Sequence, residues 1–156
     1  MPDLLAGSKI RAADTPSTVY AQDTTLNANI SNTASYATGT PEVGVTFIAP
    51  TTGRVTISVG ASMRNDAANA DRAAVTVQVF QTNSSGTEIL APTVFRGVST
   101  DGIASAGEYC TYGHTTLLEG LTPGQQYYAR TMQIKFGTAG TTPDITMRDI
   151  LIAPAT

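Results

Sequence analysis

The chain has 156 residues, 9 basic and 12 acidic side chains, a formal net charge of −3 and only 13% charged residues. That length suits one domain able to bury about two thirds of its unfolded surface, and the acidic balance leaves no excess of positive charge to follow a phosphate backbone, which argues against a nucleic-acid partner. No apolar run approaches the roughly 18 residues of a membrane helix, and the start, Met1-Pro-Asp-Leu-Leu-Ala-Gly-Ser-Lys-Ile10, has no long apolar stretch behind basic residues, so the chain is expected to be soluble, without membrane insertion, and to carry no targeting address.

Residues 1–40 are dominated by Thr, Ser, Asn and Ala, with neither a helical nor a sustained alternating period. Their scattered large groups, Leu4, Leu5, Ile10, Val19, Tyr20, Leu26, Ile30 and Tyr36, are too few for a core and too many for a solvated linker. The segment reads as an extended N-terminal arm that needs a surface to lie on, with Leu4, Leu5, Ile10, Val19 and Tyr20 as its contact residues. That surface is expected on another chain, the alternative being that the arm folds back on its own head.

From Pro41 the pattern changes. Val43-Gly-Val45-Thr-Phe47 and Val55-Thr-Ile57-Ser-Val59 place apolar residues at every second position around the break Pro50-Thr-Thr-Gly53, and Val75-Thr-Val77-Gln-Val79 repeats the alternation. These are half-buried strands. Strands are predicted over 43–49, 54–60, 73–81, 88–95, 108–118, 126–136 and 145–153. Asn83-Ser-Ser-Gly86, Thr122-Pro-Gly124 and 137–143 supply turn chemistry between them. Residues 62–74 read as a polar loop. Strand 126–136 has conflicting faces, Tyr128, Met132, Ile134 and Phe136 sharing a side with Arg130, and a bulge near Arg130 would reconcile them. The expected fold is all-β, an antiparallel sandwich of jelly-roll or immunoglobulin/fibronectin-like type spanning 41–156, with the arm at 1–40.

Chemical groups are sparse. Cys110, the single cysteine, cannot close an internal disulfide and reads as a small buried hydrophobe. His114, the single histidine, has no Gly-x-Ser-x-Gly turn to partner it, and one His with one Cys cannot build the usual zinc site. The oxygen-rich run from Asn65-Asp66 through Asn69 to Asp71 fails calcium-loop spacing and reads as a solvated loop. Paired carboxylates for glycoside hydrolysis cannot be identified among Glu42, Glu88, Glu108 and Glu119. No enzyme activity, cofactor or metal is expected. Leu121-Thr-Pro-Gly-Gln-Gln-Tyr127 is more specific: a Tyr just after such a turn sends its hydroxyl back to the upstream backbone, with Leu121 beneath it. This corner resembles the fibronectin type III turn.

Gly7-Ser-Lys-Ile10-Arg-Ala12-Ala-Asp14, Phe47-Ile-Ala-Pro50-Thr-Thr-Gly53-Arg-Val-Thr-Ile57, Gly120-Leu-Thr-Pro-Gly-Gln-Gln-Tyr127 and Arg148-Asp-Ile150-Leu-Ile152-Ala-Pro154 together resemble the small β-sandwich virion proteins of actinobacterial tailed bacteriophages. Their order and spacing cover most of the chain. The resemblance implies a non-enzymatic structural protein, a capsid decoration or minor tail protein made in the host cytoplasm and located in the virion. It implies docking on capsid or tail subunits through the N-terminal segment, and a homo-oligomer with a trimer favoured. A host-surface head recognising glycan or protein through 62–72 and 96–106, and a sandwich-fold hydrolase using His114 and acidic residues, are the alternatives.

Overall fold

The computed structural model describes residues 16–65, 71–100, 107–138 and 140–156. Its strands are β1 (Val19–Asp23), β2 (Gly44–Ile48), β3 (Val55–Arg64), β4 (Arg72–Gln81), β5 (Glu88–Leu90), β6 (Gly97–Ser99), β7 (Tyr109–Leu118), β8 (Gln126–Phe136) and β9 (Asp144–Pro154). They form two antiparallel sheets, ordered β1-β9-β3-β7 and β2-β8-β4-β5, with β6 also on β4. β5 and β6 pair with opposite ends of β4 and are separated by the 3-10 turn Val94–Arg96, so they are two pieces of one interrupted edge. Apart from the steps from β4 to β6, every connection crosses from one sheet to the other. First and last strands pair, second and penultimate strands pair, and the result is a jelly roll.

The core follows from the alternation. Val55, Ile57, Val59, Ala61 and Met63 of β3, Val75, Val77 and Val79 of β4, and Ile150 and Ile152 of β9 point between the sheets and are buried in one cluster. β-branched side chains dominate it, as suits a pleated surface packed on both sides.

The N-terminal segment belongs to this sandwich from Val19 onward. β1 pairs with β9 from Val19↔Ile152 to Asp23↔Arg148. Beyond it, Asn27 N–H donates to Ile145 O at 2.8 Å and Ile30 N–H to Pro143 O at 2.9 Å. The chain then crosses to the other sheet, where Lys135 N–H donates to Asn32 O and Ala37 N–H to Gln133 O, each at 2.9 Å, and Thr131 N–H donates to Val43 O. The segment is a strap that satisfies the free edges of β9 and β8 and seals one side of the sandwich. Ile30 joins the core. Position 40 therefore marks a change of composition, and no boundary of the sheets falls there. The segment's polar residues conceal its structural role because its partners are mostly backbone groups.

Three local expectations are corrected. β8 runs in unbroken register with β4 from Arg72↔Phe136 to Gln81↔Tyr127, so no bulge lies near Arg130; the irregularities fall at Ser62/Met63 opposite β9 and at Val79/Phe80. The face of β8 opposite the core positions of β4 carries Tyr127, Ala129, Thr131, Gln133 and Lys135. Arg130 thus lies on the outer face, where its charge needs no burial in the core. Residues 62–64 continue β3 rather than beginning a loop, and 88–95 is a three-residue strand followed by an irregular stretch. That stretch folds back over β4, where the Thr76 hydroxyl donates to Thr93 O at 2.7 Å.

Candidate assembly and binding surfaces

Leu4, Leu5 and Ile10 lie outside the described residues. Val19 faces inward from β1 and packs against the core, while Tyr20, next along the strand, faces outward with 54% of its surface exposed. Leu121 and Tyr127 are both buried at one end of the sandwich. The Tyr127 hydroxyl accepts from the Thr122 N–H at 3.0 Å, and its ring stacks on Phe47 with centroids 5.6 Å apart. Two turns clasp here, since Leu121 N–H donates to Gly53 O at 3.0 Å and Gly124 N–H to Ala49 O at 2.9 Å. Gly53 has a φ of +64°, and a β-carbon there would come within 2.5 Å of Leu121 O, so the position requires glycine.

On the outer face of the β1-β9-β3-β7 sheet, Gly60 of β3 stands between Gly113 of β7 and Asp149 of β9. Neither glycine covers the backbone, and a shallow depression of about 380 Å³ opens over them, rimmed by Ser58, Thr111, Tyr112, His114 and Thr115. Asp149 leans across it, close enough that a β-carbon on Gly60 would lie 2.6 Å from its Oδ1. Ser58, His114 and Asp149 line one depression, yet the Ser58 hydroxyl bonds Thr115 at 2.8 Å. A catalytic triad needs a hydroxyl–imidazole–carboxylate chain of hydrogen bonds, and none joins these three among the described contacts. Cys110, half-buried, pairs across from Met63 of β3.

The other sheet carries a polar ladder on its outer face. Glu42 pairs with Arg130 at 2.9 Å and accepts from the Tyr128 hydroxyl; Arg130 Nε donates to Gln78 at 3.0 Å, and Gln78 donates in turn to Glu88. The Arg130 guanidinium also lies 5.0 Å from the centroid of Phe80. Burial, then the bond to Glu42 and its negative charge, push the Tyr128 phenol up to about 12 against the opposing pull of Arg130.

Where the sequence offered a calcium-like run, Asp71 receives Lys135 Nζ at 2.7 Å and Asn65 donates to the Asp71 backbone oxygen. Asp66 and Asn69 lie outside the described residues. Among the described residues no cluster of three His, Cys, Asp or Glu could hold a metal ion, and no helix is long and apolar enough to cross a membrane. Sequence reasoning missed the buried Arg148–Asp23 pair and the depression, because both depend on strands distant in the chain. The only signal for the depression was a pair of glycines inside two alternating strands.

A scan of protein-family models finds no match, and neither does a search of curated proteins. Solved structures do match. The chain is similar to a chain in the structure of infectious bursal disease virus, Gt strain, with a TM-score of 0.56 and 11% identity over 99% of its own length and 38% of the other. The corresponding structure of the Gx strain gives a TM-score of 0.52 and 10% identity over 89% of this chain and 32% of that one. The chain thus spans about a third of the length of these solved chains. At such identities the likeness establishes a shared β-sandwich fold.

Proposed function

We propose that this chain is a non-enzymatic structural protein of a tailed-phage virion, a capsid decoration or minor tail protein. It docks on neighbouring capsid or tail subunits by its first residues, with Leu4, Leu5, Ile10 and Tyr20 as contacts, and presents the jelly roll outward. Val19 is turned into its own core and anchors the docking segment to the head. The observation that carries this reading is the extent of the structural likeness: the two-sheet sandwich follows chains from virus structures over 89 to 99% of its length. The resemblance of its sequence pieces to phage virion proteins supports the same reading.

Mass spectrometry and cryo-electron microscopy of particles from the lysate of a cell carrying the gene test it. The expected result is the full chain in fixed stoichiometry within the particles, and loss of incorporation for a chain starting at Pro16. Particles that form and infect without the chain overturn the reading. The depression over Gly60 and Gly113 favours a second reading, a host-surface head. Its Asp149 carboxylate, unpaired among the described residues and beside the hydroxyls of Ser58, Thr111 and Thr115, could meet a sugar, and glycan binding abolished by Asp149→Ala would support that alternative.

A further inference from the structure

The four outer edges of this sandwich are not treated alike. β1 and β2 are 5 residues each, and β5 and β6 are 3 each with a 3-10 turn between them, so three edges are short or broken. The fourth, β7, runs for 10 residues, Tyr-Cys-Thr-Tyr-Gly-His-Thr-Thr-Leu-Leu, without Asp, Glu, Lys, Arg or Pro. Its register with β3 is unbroken from Val55↔Leu118 to Arg64↔Tyr109, and no described strand pairs along its other side. Soluble proteins protect such an edge with charge, proline, a bulge or brevity, because its free backbone groups recruit another strand. β7 has none of these protections.

The side chains of β7 indicate what occupies the edge. Tyr109, Thr111, Gly113, Thr115 and Leu117 share the outer face, and Tyr109 and Leu117 are 56% and 46% exposed. We propose that β7 is the contact between two copies of this chain, whose Tyr109–Leu118 strands pair antiparallel about a two-fold axis through Gly113 and merge their sheets into one.

Antiparallel pairing about a residue sets positions of equal distance opposite each other. Tyr109 then meets Leu117 of the other copy, Thr111 meets Thr115, and the two Gly113 residues meet on the axis. The two exposed apolar groups cover each other, the threonines form a favourable cross-strand pair, and no like charges face one another within the strand. A second copy supplies the complement by symmetry alone. The contact stands whether or not the chain belongs to a virion, because it depends only on the edge.

Light-scattering mass of the full chain over a range of concentrations tests this, with three variants beside it. The wild type is expected to move from monomer to twice the monomer mass as concentration rises. Thr111→Lys with Thr115→Lys sets like charges opposite each other at two symmetric points, so it is expected to stay monomeric and to melt cooperatively close to the wild type at low concentration, both positions being solvent-exposed and only the exposed Ser58–Thr115 bond being lost. Thr111→Lys with Thr115→Glu sets opposite charges there and restores the dimer. A chain starting at Pro16 keeps it. The proposal is overturned by a wild type that is monomeric throughout, by a doubly lysine-substituted chain that keeps the wild-type mass, or by a Lys/Glu variant that fails to dimerise. Loss of the dimer on removing the first 15 residues also overturns it, and assigns the edge to that segment instead.

Discussion

Arg148, fully buried in β9, meets Asp23 of the edge strand β1 with its Nη2 3.3 Å from the carboxylate Oδ1. Burial lowers the affinity of the guanidinium for its proton, and the Asp23 charge partly restores it. A β-carbon at Gly39 would overlap the same guanidinium, so the strap closes directly over it. Asp23→Ala leaves a buried charge uncompensated and is expected to cost about 3–5 kcal/mol. Arg148→Met removes both the charge and its desolvation and is expected to cost less. Urea denaturation of the two variants ranks them, and a milder effect for Asp23→Ala would refute the pairing argument.

Two truncations separate the strap from the residues before it. A chain starting at Pro16 keeps every described contact and is expected to melt with the full chain. One starting at Pro41 loses β1, the buried Ile30 and the hydrogen bonds of Asn27, Asn32 and Ala37 to the two sheets. It is expected to be unfolded or strongly destabilised at 25 °C, and a cooperative melt near the full-length temperature would show that the strap is dispensable. Circular dichroism during heating decides between them.

At the clasped corner, Tyr127→Phe keeps the ring stacked on Phe47 and removes only the acceptor for the Thr122 N–H. Thr122 is exposed, so water can replace the hydroxyl. The expected loss is about 0.5–1.5 kcal/mol. Leu121→Ala opens a cavity in the same corner and should cost about 2–5 kcal/mol. Guanidinium unfolding that placed the phenylalanine variant below the alanine variant would reverse this ordering.

Tyr128 gives a pH signature. Its folded phenol titrates at about 12 rather than at the ordinary value of 10.0. A group whose folded value is raised contributes stability fully present below the unfolded value and lost as pH rises through the folded one. Stability should therefore fall between about pH 10 and 12, as Tyr128 ionises beside Glu42. Absorbance at the phenolate wavelength should show a late step that vanishes in Tyr128→Phe; an unchanged titration in that variant assigns the step elsewhere.

Residues 43–47, 55–59 and 75–79 were readable as strands because each buries one face, and burial on one face writes a period of two into the sequence. Leu121 and Tyr127 were readable for a related reason: a tight turn followed by an aromatic is a local device, complete within seven residues. The span of β8, 126–136, was legible as well, but its faces were not, since its apolar residues Met132 and Ile134 lie on the outer face while Gln133 and Lys135 face the side of the core. Lys135 is tolerated there only because Asp71, 64 positions away in sequence, receives its ammonium.

The sequence by itself determined an all-β fold with alternating strands and turn-rich connections, because those properties are set by neighbours a few residues apart. Tertiary structure alone decided that the N-terminal strap is part of the sandwich, that Gly60, Gly113 and Asp149 converge, and that β7 is a long uncharged edge among the described strands. Backbone hydrogen bonds carry no side-chain code, and contacts between the two ends of the chain exist only once both sheets have formed.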